Sequence, residues 1–201
     1  MSFGAWSWDR LLARLLSRSL KATALPRVSQ VLIRRRPACG AAATRWRLWR
    51  FWQPGFFQGW LAQVDLEIFQ NHLDSNPPRA ARAYAYETIA QHDATLACWD
   101  SKYIYLELRP SQADPSITTL FANPQHPGFP SGHACASGAS AAVMSVLFPA
   151  DEQSFTTMAN DAGTSTFDAG IHTQLDVSQG LALGTLVGQK VAARASADGA
   201  N

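Results

Sequence analysis

The sequence predicts an all-α fold, a helical bundle with its functional site at one end. Three observations predict it. Apolar residues recur at near four-residue spacing from Gly55 onward, strand-like alternation is absent, and small residues populate two long stretches at intervals suited to close helix packing. At 201 residues, 47% hydrophobic and 16% charged, the chain suits one domain with a full core.

Charge divides the chain into a basic arm, residues 1–50, and an acidic domain, residues 51–201. The arm holds 11 of the 17 Lys and Arg against one acid, Asp9, a net +10, while the remainder sets 6 basic against 14 acidic residues, a net −8. Trp8 to Leu20 patterns as an Arg/Leu amphipathic helix, and Arg45-Trp46-Arg47-Leu48-Trp49-Arg50 interleaves cations with indoles. That composition suits peripheral contact with an anionic membrane surface. A targeting segment, a helix docked on the domain, and a non-native start upstream of a truncated domain are the alternatives. No clear secretory signal stands at the start, nucleic acid is not an expected partner, and neither compartment nor oligomeric state follows from the residues.

In the domain, Trp60, Val64, Ile68 and His72 mark a first helix, ended by Asp74-Ser75-Asn76-Pro77-Pro78, which also caps the next. The second helix is predicted from about Pro78 to Leu108, with Ala85, Ile89, Leu96, Trp99, Tyr103 and Leu106 as its apolar stripe. A proline-punctuated loop of roughly twenty residues follows, long enough to form the rim of a site. The third helix is predicted from Ser131 to about Phe148. A fourth runs from Asp151 to Asn160, with Gly163 to Gly170 as a loop presenting Thr166. The last is predicted from about Ile171 to Ala195, where Gly180, Gly184 and Gly188 predict close contact with another helix. No stretch reads as a transmembrane span; Ala134 to Ala150 is the most apolar and is too short. Cys39, Cys98 and Cys135 are too few and scattered for a disulfide framework, and Cys98 and Cys135 read as packing residues. Nucleotide-binding loops and dinuclear metal sites find no support.

Three separated segments carry chemistry. Lys102 and Arg109 stand seven residues apart, near two helical turns, so both cations can converge on one anion; solvated surface cations are the alternative. Pro110 places Arg109 at the helix end, where its planar fork can grip two oxygens. Pro130-Ser131-Gly132-His133 reads as a helix N-terminus with Ser131 as its cap, a place that favours an anion. His133, one step inside, is a candidate acid or base. His172 and Asp176, at i and i+4, can pair so that the carboxylate accepts Nδ1–H and leaves Nε2 as nucleophile or ligand; a purely structural hydrogen bond is the alternative.

Lys102-x6-Arg109-Pro110, Pro130-Ser131-Gly132-His133 and Ser165-x6-His172-x3-Asp176 resemble the three motifs of the type 2 phosphatidic acid phosphatase and vanadium haloperoxidase superfamily. Asp93-Ala94, Trp99-x2-Lys102-Tyr103 and His126-Pro127 resemble its vanadium haloperoxidase-type branch. The resemblance implies a helical bundle of that type, with Lys102, Arg109, Ser131 and Gly132 binding the oxygens of phosphate or vanadate and His133 as acid or base. It makes His172 either the axial vanadium ligand or the nucleophile that forms a phosphohistidine, oriented by Asp176. The implied activity is peroxide-dependent halide oxidation, with phosphomonoester hydrolysis as the alternative. The substrates are then hydrogen peroxide and a halide, or a phosphate ester; vanadate or phosphate occupies the site, and no divalent cation is expected. Where the family carries an arginine after the third-motif serine, this chain has Thr166. One neutral hydroxyl replaces a charged fork, which predicts oxyanion binding weakened tens- to thousands-fold and keeps an inactive paralogue as a third reading.

Overall fold

A computed structural model describes residues 50–53 and 55–200; the arm through residue 49 lies outside the described residues. In chain order the helices are α1 (Phe56–Gln70), α2 (Pro77–Tyr105), α3 (Pro110–Ala113), α4 (Gly132–Leu147), α5 (Glu152–Asp168) and α6 (Gln174–Ser196), with 3-10 turns at Leu73–Ser75 and Pro149–Asp151. No strand occurs among the described residues. None of the described helices is long and apolar enough to cross a membrane.

The bundle is organised around α4, which packs against α2, α5 and α6. Its residues are small, Gly132, Ala134, Ala136, Ala139 and Ala141 among them, so its neighbours approach to backbone distance. On α6 the answering positions are the predicted glycines. A Cβ on Gly180 would stand 2.8 Å from both Ala134 Cβ and the Ser131 carbonyl, and one on Gly184 would collide with the Cys135 carbonyl. Close approach, not flexibility, is what these glycines provide. At the α1 end Trp60, Val64, Met144, Phe148 and Phe155 form the largest apolar cluster, and Trp60 Nε1 donates to Ser137 Oγ at 2.9 Å.

Helix α2 departs from the sequence prediction. Most of its expected stripe is exposed, with Ile89 and Leu96 at 46% and Tyr103 at 58% and Trp99 half-buried, while Ala83, Glu87, Ala90, Gln91, Ala94, Ala97, Cys98, Ser101 and Lys102 face inward. The narrow gap beside α4 suits the small Ala, Ser and Cys side chains of this face, while the longer Glu87, Gln91 and Lys102 are held there by buried hydrogen bonds. Asn76 accepts from the Arg79 amide as the expected cap. The helix ends three residues before the predicted Leu108, because Leu106 takes left-handed geometry (φ 50°).

Within the α2–α4 contact, the fully buried Glu87 carboxyl accepts from Gln91 Nε2 and from Ser140 Oγ (2.9 Å). Its second oxygen and Gln91 Oε1 have no partner. Burial raises the Glu87 carboxyl above its ordinary value of 4.5, outweighing both hydrogen bonds. An acid raised in the folded state stabilises the fold below its ordinary value, and that contribution is lost as pH climbs through the raised one. Thermal unfolding of Glu87→Gln beside the unaltered chain between pH 4.5 and 8.5 isolates this contribution: the variant, which keeps the amide pairing without a charge, should gain on the unaltered chain as pH rises, by about 1–3 kcal/mol at the alkaline end.

Candidate functional site

The three segments meet where the C-terminal end of α2, the 106–131 loop and the starts of α4 and α6 converge. Lys102 lies in the last turn of α2 and Arg109 caps α3 beyond the Leu106 turn, so the two are not on one helix as expected. They are still brought together, both nearly or wholly buried. The Lys102 ammonium gives its protons to the carbonyls of Pro127 and Gly128, each at 2.9 Å, and of Pro130. It therefore braces the loop that leads into Ser131. Burial, foremost, pushes Lys102 below its ordinary value, and burial does the same to Arg109.

Ser131 caps α4 as expected, accepting from the Ala134 amide, while its own amide donates to the Asp176 carbonyl at 3.0 Å. That bond ties the start of α4 to the first turn of α6. Gly132 opens α4, where an added Cβ would stand 3.1 Å from the Trp99 indole. The indole lies 5.7 Å from Lys102 Nζ and 5.0 Å from the His126 ring.

His172 and Asp176 pair as predicted, Nδ1 to Oδ2 at 3.1 Å, but not as neighbours on one helix. Helix α6 begins at Gln174 with Thr173 as its cap. Thr173 Oγ1 accepts from the Asp176 amide (3.1 Å) and Asp176 Oδ2 accepts from the Thr173 amide (2.9 Å), a reciprocal capping box. His172 sits in the turn before it, with its ring folded back onto the capping carboxylate. A carboxylate only accepts, so Nδ1 carries the proton and Nε2 presents a lone pair. Nε2 lies 3.4 Å from Arg109 Nη1, which donates to the Ile171 carbonyl at 2.8 Å.

Burial drives His172 down to about 4 against the pull of Asp176, so the ring is neutral at pH 7. Burial also acts most strongly on Asp176, upward, but the hydrogen bond and charge of His172 and the Thr173 amide outweigh it and hold the carboxyl below its ordinary value. His133 meets the 51–70 segment: Nε2 lies 3.3 Å from the Trp52 carbonyl, and the ring stands edge-on to Phe56 at 5.3 Å. It is depressed to about 4, chiefly by burial. It joins the group through the helix start it shares with Ser131 and Gly132.

Thr166 lies in the last turn of α5, not in a loop. The expected loop from Gly163 to Gly170 is helical through Asp168, and Gly163 leaves the space that Val177 occupies, 2.7 Å from an added Cβ. Thr166 is fully buried, its hydroxyl 3.2 Å from Ser131 Oγ and donating to the Gly163 carbonyl at 2.8 Å. Among the described residues no third cation stands in for the family's arginine: the charges acting on His172 there, apart from Asp176, are those of Lys102 and Arg109. Arg82 is engaged elsewhere, with Asp198 at 2.7 Å, and Arg79 is exposed in the first turn of α2. Thr173 escaped the sequence reading, although Thr-x-x-Asp is itself a capping-box signal. His126 entered only as motif context, yet it contacts Arg109 directly.

Chemically, the cluster offers a neutral, tautomer-fixed imidazole beside one guanidinium and one ammonium at a helix start, which suits nucleophilic or ligating contact with a tetrahedral oxyanion. A model of the PAP2 superfamily matches residues 83–196. A bacterial vanadium-dependent iodoperoxidase superposes with a TM-score of 0.68 at 18% identity, covering 97% of this chain and 51% of that one, so this chain spans about half its length. A transmembrane PAP2-type phosphatidylglycerolphosphate phosphatase from Bacillus subtilis superposes with a TM-score of 0.57 at 16% identity, covering 96% of this chain and 98% of that one. No curated protein matches.

A histidine held neutral by burial stabilises the fold above its ordinary value near 6.5 and loses that contribution as pH falls toward 4. For His172 the loss is roughly 3 kcal/mol. Denaturant unfolding at pH 7 and pH 4.5 should show it, and His172→Gln should reduce the difference.

Proposed function

Because the chain belongs to the PAP2 superfamily, we propose that it binds a tetrahedral oxyanion at His172 and hydrolyses phosphate monoesters through a phosphohistidine. One observation carries the choice: among the described residues two cations, Lys102 and Arg109, act on His172, and a neutral Thr166 stands where the family's motif has a third. A site short of one charge suits an anion that arrives, reacts and leaves better than one that must stay bound as a resident cofactor.

In this reading Nε2 of His172 attacks phosphorus, and the bond to the leaving alkoxide breaks as the N–P bond forms. Asp176 holds the developing imidazolium through the 3.1 Å contact at Nδ1. Arg109 and the amides at the start of α4 take the charge on the non-bridging oxygens. His133 protonates the leaving oxygen and then removes a proton from the water that cleaves the phosphohistidine. An anion bound beside it favours the imidazolium that the first of these roles needs.

Peroxide-dependent halide oxidation is the second reading. It is favoured by the gathering of the haloperoxidase-type context residues Trp99 and His126 around Lys102 and Arg109. Vanadate has the same shape and charge type as phosphate, so His172, Arg109, Ser131 and Gly132 fit it in kind. When bound it would supply a Lewis-acid centre for peroxide.

Phosphate release from p-nitrophenyl phosphate, run beside a peroxide-dependent bromination assay, separates the two. The expected result is phosphate release that orthovanadate inhibits and that His172→Ala lowers at least a hundredfold. Thr166→Arg, with folding checked by thermal unfolding, should tighten orthovanadate binding tens- to thousands-fold. Bromination without phosphate release would transfer the assignment to the second reading, and activity in neither assay, even with Thr166→Arg, would make the chain an inactive member.

A further inference from the structure

We propose that His126 is a positioning residue that aims the Arg109 guanidinium at the oxyanion, a role that rests on the oxyanion reading above. Arg109 has one arm toward the chemistry: Nη1, on the Ile171 carbonyl and beside His172 Nε2. The rest of the fork is held by a single residue. The His126 carbonyl accepts from Nε at 3.2 Å and its Nδ1 lies 3.3 Å from Nη2, so backbone and ring grip two corners of one planar group. With Nη1 on the Ile171 carbonyl, all three nitrogens of the rigid plane are then held, and the His126 ring is the side chain that holds the Nη2 corner.

The grip dictates a tautomer. A guanidinium only donates, so Nδ1 must be unprotonated and the His126 proton must sit on Nε2. Nδ1 also lies 3.3 Å from the Pro127 carbonyl, a pairing that would require the opposite tautomer. The Arg109 pairing prevails, because an N–H at Nδ1 would point a positive dipole at a buried cation. Burial, foremost, and the charge of Lys102 lower His126 further, in keeping with a neutral ring.

The clamp is itself held. The His126 amide donates to the Pro124 carbonyl at 2.9 Å, and the ring packs on Trp99, whose indole is seated in the space Gly132 leaves by lacking a side chain. Trp99 thus links the helix start, Lys102 and His126 into one support. His126 touches no reacting group in this arrangement; it acts through Arg109.

The test uses the full chain, orthovanadate as the anion, and two readouts. Calorimetry should show His126→Ala weakening orthovanadate binding about tenfold, or about 1.4 kcal/mol. His126→Asn, whose side-chain oxygen can replace the Nδ1 acceptor, should recover most of the loss. In an Arg109→Lys background His126→Ala should cost little more, because the fork it clamps is gone. Independently of anion binding, 15N NMR should find His126 protonated at Nε2 and the Arg109 Nη2 protons slow to exchange, with faster exchange in His126→Ala, which keeps the backbone carbonyl on Nε but removes the ring acceptor. If orthovanadate fails to bind while the NMR result holds, the oxyanion reading falls and the clamp stands. Protonation at Nδ1, or unchanged Arg109 exchange in His126→Ala, overturns the proposal; so does an undiminished His126→Ala effect in the Arg109→Lys background.

Discussion

The Asp176 carboxylate is the interaction on which both the fold and the site depend. One oxygen, Oδ2, accepts from the Thr173 amide and from His172 Nδ1, so the group that starts α6 also fixes the tautomer of the His172 imidazole. The same residue's carbonyl takes the Ser131 amide, joining the start of α4 to the first turn of α6. The separation of the two helix starts, and hence of Ser131 from His172, is set by one residue. The glycine-to-backbone contacts between α4 and α6 extend that register down the bundle, since Gly180, Gly184 and Gly188 leave little slack for sliding.

The second constraint is the burial of two cations. A charge taken out of water needs partners, and here backbone carbonyls supply most of them. Lys102 is surrounded by the carbonyls of Pro127, Gly128 and Pro130, and Arg109 by those of His126 and Ile171. The irregular 106–131 loop is therefore shaped by the charges it encloses. Its carbonyls turn inward because each cation is fixed by its own helix end, and this folds the proline-rich segment back over the site. The cation that grips an oxyanion in the proposed function is thus also a folding element, and truncating it would disturb the loop as well as the chemistry.

Much of this was legible in the residues, for identifiable reasons. Ser131 as a cap, the close approach of Gly180, Gly184 and Gly188, and the His172–Asp176 pair all follow from local chemistry at fixed spacing. The pair has a different basis from the one its spacing implied: a capping box folds His172 back, where an i, i+4 helical pair was expected. Two failures share a cause. A loop from Gly163 and an apolar stripe through Ile89, Leu96 and Tyr103 are what residue type alone predicts, without the width of the gap each position faces. Where α2 and α5 press against small-residue helices, glycine continues a helix and alanine, not leucine, is core. The left-handed turn at Leu106 has no local sequence signal.

The loss of the third cation leaves no scar in the fold. Replacing a buried arginine with an apolar residue would strand the Ser131 hydroxyl beside an uncharged wall, whereas threonine leaves its hydroxyl within 3.2 Å of Ser131 Oγ and donating to the Gly163 carbonyl. Position 166 is thereby satisfied without any anion present. A site with three cations repels itself until an anion arrives, and one with two, both wrapped in carbonyls, does so much less. In the proposed function the chain thus keeps the superfamily's helix packing and its histidine–aspartate pair while an oxyanion is held less tightly, so that retention of the motifs and strength of binding are separable.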